Sequence, residues 1–315
     1  MLEIDVREVN LNVRPATWIA CAVLLAGTCG QARADYIAST LGLAGPDYYA
    51  VLALTGANST MLTGPATTSG NVGVSSGNLT LSGTSGTVVS GNVYLASGAT
   101  LGSGGSQVTG TVSTNQNLSL VNTDALAAAA AFNALTPTQT VPGGAVTSTT
   151  TITGTSGVNV VDISNLNLNN QTLTLNGPAG SQFIINDSGG FTLSSGQILL
   201  TGGVTSQDVV FNVTSSDPIT TSGTTSITGN ILATNSNVSM SPGLLSGELI
   251  AGGSTIGLSS VQTGALPSHG FSVVPFAAPV VPSVPEPPAA LLLGLGAVIG
   301  LSAASRFRRA QILRA

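Results

Sequence analysis

Five threonines at alternate positions, Thr147, Thr149, Thr151, Thr153 and Thr155, make the clearest hydroxyl array in the chain. On an extended strand alternate residues share one face, and each hydroxyl both donates and accepts hydrogen bonds. Such a row is expected to bind something extended and neutral, either ordered water, as in ice, or a sugar chain. The alternative is a solvated face that threonine occupies only for its strand propensity. Residues 220–228 hold a less regular second array, and Asn165, Asn167 and Asn169 form an alternating amide row. Carboxylates offer other chemistry. Asp162, Asp187 and Asp208 stand 25 and 21 residues apart, so stacked coils would align them as a Ca²⁺ or acid–base cluster, against isolated turn aspartates as the plainer reading. The run Gly73-Val74-Ser75-Ser76-Gly77 fits a nucleophile elbow, yet such an elbow opens into a helix, and the single histidine, His269, lies in a proline-rich stretch. No catalytic residue, metal or cofactor is assigned.

Charge sets the compartment. All seven basic residues are arginines at the ends of the chain, Arg7, Arg14 and Arg33 at the start and Arg306, Arg308, Arg309 and Arg314 at the finish. Between Arg33 and Arg306 lie nine acids and no base, a formal charge of −9. Nucleic-acid binding is excluded, because nothing there neutralises phosphate. Arg7 and Arg14 precede the apolar run 16–26, and Gln31-Ala32-Arg33-Ala34 supplies a small-x-small site. Residues 1–34 therefore read as a signal peptide, cut by signal peptidase between Ala34 and Asp35. An N-terminal anchor and a lipoprotein on Cys29 are the alternatives. Cys21 and Cys29 are the only cysteines, so the cut chain has no disulfide or thiolate site.

At the other end Val284-Pro285-Glu286-Pro287 precedes a Gly-rich apolar stretch, 289–305, and then Arg306, Arg308 and Arg309. The stretch is just long enough to span a membrane, and the arginines hold their side in the cytoplasm. Residues 284–310 closely resemble the PEP-CTERM sorting signal. That resemblance implies an exopolysaccharide-producing Gram-negative bacterium and an exosortase that removes the tail near Glu286. Residues 267–283, with Pro267, Pro275, Pro279 and Pro282, read as an extended stalk.

The body, 35–266, alternates aliphatic and small polar residues in short runs such as Asn78-Leu79-Thr80-Leu81 and Gln171-Thr172-Leu173-Thr174-Leu175, separated by Ser, Gly and Asn turns. Gly70, Gly91 and Gly110 recur at steps of 21 and 19 residues, a period that suits one coil of a stacked parallel solenoid. A β-sandwich shares the alternation, but Asn-Gly and Asp-Gly hairpin signals are nearly missing. One segment, about 122–136, reads as a helix: Asn122 or Thr123 as cap, Asp124 in the first turn, a run of alanines, and Pro137 as stop. The expected fold is all-β, a parallel β-helix with one flanking α-helix, preceded by a signal peptide and followed by a C-terminal transmembrane helix.

The opening, Tyr48-Tyr49-Ala50-Val51-Leu52-Ala53 with Thr63-Gly64-Pro65 and Gly70-Asn71-Val72-Gly73-Val74, resembles the bacterial ice-binding-like β-helix family. The later stretch, 175–186, with Asp208-Val209-Val210-Phe211-Asn212-Val213, Gly229-Asn230-Ile231-Leu232-Ala233 and Gly247-Glu248-Leu249-Ile250-Ala251-Gly252, is more similar to the choice-of-anchor A surface domain. The first resemblance implies a flat face that orders water, the second a surface module; neither implies catalysis. The expected role is structural or adhesive, at the cell surface or in the extracellular matrix, with exopolysaccharide as a candidate ligand; the alternatives are an ice-binding protein using its flat threonine-rich faces and an enzyme acting on polysaccharide.

Overall fold

The computed structural model describes residues 49–83 and 86–263. Their strands form three parallel sheets, of ten, nine and nine strands. Each coil lays one strand in each sheet, except the one opened by Val112–Gln116, which passes into a helix after its sheet A strand. The first coil runs Tyr49–Ala53 in sheet A, Ser59–Thr63 in sheet B and Thr67–Thr68 in sheet C. The alternation predicts this layout directly, since one residue in two points inward and aliphatic side chains stack coil upon coil. Along sheet A the inward row Val161, Ile185, Phe211, Ile231, Leu249, Val51, Val72, Val93 is continuous in register and entirely buried. It runs through one hydrophobic core that also holds Leu79, Leu81, Leu173 and Leu175.

Stacking order departs from sequence order. The strand Tyr49–Ala53 lies between Asn71–Val74 and Leu249–Ala251, which come from the second and the last coils of the chain. The first block climbs away from this seam and ends its sheet A edge at Val112–Gln116. The second block begins at the opposite edge, Gln139–Thr140, and climbs back until Leu249–Ala251, Thr255–Ser259 and Val261–Thr263 meet the first coil. A period near twenty residues cannot encode this order, because every coil presents the same kind of edge.

A helix, Ser119–Asn133, joins the blocks across the outer face of sheet A. Its small Ala125, Ala128 and Ala129, with Phe132, pack on Leu52, Leu54, Ile184, Val210, Leu232 and Ile250. The expected bounds, 122–136, sit about one turn too late. Asn122, expected as the cap, is buried inside the helix: its Oδ1 accepts the Thr55 N–H at 2.8 Å and its amide donates to the Leu118 carbonyl at 2.7 Å. The start is marked by Asn117, whose Oδ1 accepts from the N–H and the hydroxyl of Ser119. The helix stops before Pro137. The amides of Asn186 and Asn212 bond the carbonyls of Phe132 and Ala129, tying its last turn to sheet A.

The expected signal peptide 1–34 with its cut between Ala34 and Asp35, the expected stalk 267–283, the motif Val284 to Pro287, the expected span 289–305 and the cluster Arg306, Arg308 and Arg309 all lie outside the described residues. Among the described residues no helix is long and apolar enough to cross a membrane.

Candidate ligand-binding face

With the helix over sheet A, the described residues leave outward positions of sheets B and C, such as Asn167 and Thr151, exposed. The central outward row of sheet B is Asn167, Thr192, Thr220, Ser239, Gly257, Met61, Thr80 and Gly102, one residue per coil in continuous register. Adjacent strands place these rungs about 4.8 Å apart. The Thr192 and Thr220 hydroxyls meet at 3.1 Å, so neighbouring rungs bond to each other as well as to solvent. Asn169, Ser194 and Ser222 form a parallel row beside the first three. None of the nine strands of sheet B carries a charged residue. Met61, 39 % exposed, is its one large apolar interruption.

The threonine row expected at 147–155 is split by the fold. Only Thr151 and Thr153 project together, outward from the sheet C strand Thr150–Thr153. Thr147 and Thr149 fall in the corner between the strand Ala145–Val146 and that strand. The Thr149 N–H and hydroxyl both donate to Oε1 of Gln171, at 2.9 and 2.6 Å, a clamp between coils. Thr155 lies beyond the strand, its N–H bonded to Oδ1 of Asn159. All five are exposed, but they do not form one row. A corner residue faces solvent as an outward strand residue does, so a polar alternation runs through a corner unbroken. On sheet C the row is also short, since Thr151 leads to Thr174 and then to exposed Leu199. The 220–228 array is divided likewise, with Thr221 and Thr225 buried on different sheets. Asn167 and Asn169 do point outward together.

The three aspartates do not converge. Oδ1 of Asp162 accepts from Asn186, while Asp208 closes a capping box with Thr205. Asp187 occupies an inward register position between Ile163 and Val213, fully buried, with Oδ1 accepting the Gly189 N–H and Oδ2 without a partner. Among the described residues no group of three His, Cys, Asp or Glu could hold a metal ion. Ser75, the nucleophile position of the elbow-like run, follows the strand Asn71–Val74 at a corner with no helix behind it; its N–H donates to the Ala53 carbonyl and its buried Oγ has no partner, while Ser76 donates to the Ala57 carbonyl at 2.8 Å.

Burial raises the Asp187 carboxyl to about 6, and the charge of Asp217 adds to the effect against the Gly189 hydrogen bond. The native state then holds a proton that the unfolded state has lost. This group's contribution is complete below about pH 4 and declines as pH rises toward 6. Asp187→Asn is expected to raise stability at pH 7 by roughly 2–3 kcal/mol and to leave it unchanged near pH 3. Chemical denaturation at the two pH values reads this; equal effects at both would reject the assignment.

The sequence matches the family described as an ice-binding-like adhesive domain over residues 39–263. No curated protein matches the chain. Among solved structures, an ice-binding protein from an Antarctic biological consortium superposes with a TM-score of 0.51 at 19 % identity, over 71 % of this chain and 90 % of that one. One from the Antarctic ascomycete Antarctomyces psychrotrophicus gives 0.49 at 21 % identity, over 73 % and 100 % of the two chains. A glycosylated ice-binding protein from an Arctic yeast gives 0.47 at 16 %, over 73 % and 96 %. The first of these supports the solenoid as a shared fold, and the match over residues 39–263 decides the family: the chain belongs to the ice-binding-like adhesive domain family.

Proposed function

We propose that the protein is exported to the cell surface or extracellular matrix and acts there as an adhesive module, with sheet B as its contact face. The observation that carries this is the nine-strand outer face of sheet B, uncharged and built largely from small hydroxyl and amide side chains. A flat face of that kind suits an extended neutral ligand such as exopolysaccharide, to which many weak hydrogen bonds form together. The body has no base for an anionic ligand. The reading is of a binding protein rather than an enzyme.

Ice is the second reading. It is favoured by the unbroken succession Asn167, Thr192, Thr220 and Ser239, one rung per coil, and by the ice-binding proteins that share the fold. Co-sedimentation with insoluble neutral polysaccharide tests the first reading, and inhibition of ice recrystallisation tests the second. Failure in both assays would remove sheet B as a contact face for either ligand.

Sorting rests on the ends of the chain. Signal peptidase acts at Ala34/Asp35; the span 289–305 then holds the chain in the membrane until an exosortase recognises Val284 to Pro287. Replacing Pro285, Glu286 and Pro287 by alanine is expected to leave uncleaved protein in the inner membrane, because the span and arginines still stop transfer. Fractionation of the producing cells reads this, and normal release of the variant would reject the sorting assignment.

A further inference from the structure

Where sheet C turns into sheet A, asparagines form a ladder. Oδ1 of Asn71 accepts the Asn92 N–H, Oδ1 of Asn92 accepts the Thr111 N–H, and Oδ1 of Asn230 accepts the Glu248 N–H, each at 2.9 Å. Each of these ladder residues follows a glycine: at Gly91, Gly110 and Gly247 the backbones approach too closely for a side chain, and Gly70 and Gly229 adopt φ of 143° and 131°. A Cβ at Gly91 would stand 2.2 Å from the Gly70 carbonyl oxygen, and one at Gly247 2.0 Å from that of Gly229. The recurring Gly-Asn pairs are thus a requirement of the corner. Gly247-Glu248 keeps the glycine and replaces the amide with an acid one methylene longer.

That replacement sits at the seam. Leu249 pairs with Val51 and Ile250 with Leu52, so Glu248 stands at the rung facing Ala50, next to the register shift between Tyr49 and Val51. Its side chain is 3 % exposed and its Oε1 has no hydrogen-bond partner. From the strand below, Asn230 presents only an amide; from the first coil Ala50 presents nothing polar, and Tyr49 beside it packs edge-on to Tyr94. The helix over sheet A carries Asp124 as its single charged residue, and no Lys or Arg lies between Arg33 and Arg306. Burial alone pushes the Glu248 carboxyl up to about 8.

We propose that Glu248 is a proton-controlled latch on the seam: protonated, it lets the first coil dock on the last; ionised, it favours release of the first block from the second. The native seam holds the proton to higher pH than the opened seam, where the acid meets water. Opening therefore releases a proton and is favoured as pH rises from about 4.5 toward 8. The same seam crosses sheet B between Thr255–Ser259 and Ser59–Thr63, so opening would divide that face, whether or not it has a ligand.

Hydrogen exchange, corrected for the intrinsic rate at each pH, tests this on the mature chain. The amides of Leu54, Asn58, Ser69 and Ser260 bond across the seam, whereas those of Val72 and Val93 bond between coils inside the first block. Seam protection is expected to fall about tenfold per pH unit between pH 5 and 7, with the Val72 and Val93 protection unchanged. Glu248→Gln, and Glu248→Asn as a second variant that restores the ladder residue, should remove the slope. A flat seam profile, an equal slope at the control amides, or a slope that survives either variant would overturn the proposal.

Discussion

Leu175→Asp is expected to abolish the folded solenoid, while Thr174→Asp, one residue away, leaves it intact. Leu175 is fully buried and stacks between Ile152 and Leu200 of the adjoining coils. Losing the leucine contacts costs about 2–5 kcal/mol, and an unpaired carboxylate in that row adds several more. Together these reach the about 5–15 kcal/mol that holds a typical domain. No cation is at hand to offset the charge, since the body contains none. Thr174 points the other way, half-exposed between Thr151 and Leu199. Circular dichroism and melting of the two variants decide the matter, and similar behaviour would mean that the assigned inner and outer faces are wrong.

This contrast explains what could be read in the sequence. Alternation fixes which side chains face inward within a strand, and strands such as Asn165–Asn169 and Thr172–Asn176 follow it residue by residue. The glycine period marks coils because the corner tolerates no Cβ at Gly91. Three features were not legible. The docking of the first coil on the last depends on contacts such as Thr68 with Thr263, 195 residues apart, and no local pattern distinguishes one coil edge from another. The helix begins about one turn before the expected cap because Asn122, a residue type suited to capping, spends its side chain on Thr55 and Leu118. The row expected at Thr147 to Thr155 is split because those residues alternate through a corner, whereas the sheet B row is assembled from single residues 18 to 28 positions apart. That spacing hides it: Thr192, Thr220 and Ser239 become neighbours only once the coils stack.

If sheet B is the contact face, Thr220→Lys is expected to abolish binding to ice or polysaccharide while hardly moving the melting temperature. Thr220 lies at the centre of the four-rung succession, half-exposed, with its hydroxyl on Thr192. A lysine there raises a long charged side chain above a row of short neutral ones, so the ligand lifts away from several rungs at once. Binding by a rigid array is multiplicative in its contacts, and losing simultaneous engagement removes far more than one hydrogen bond. The folding cost is confined to that one solvent-accessible bond, about 1 kcal/mol or less. Thr151→Lys places the same charge on sheet C, beside a row already interrupted by Leu199, and is expected to bind as the unaltered protein does. The pair therefore separates the two faces. Loss at Thr151 with retention at Thr220 would move the contact site to the threonines of sheet C, and retention in both would leave the hydroxyls of either face as solvated strand surface.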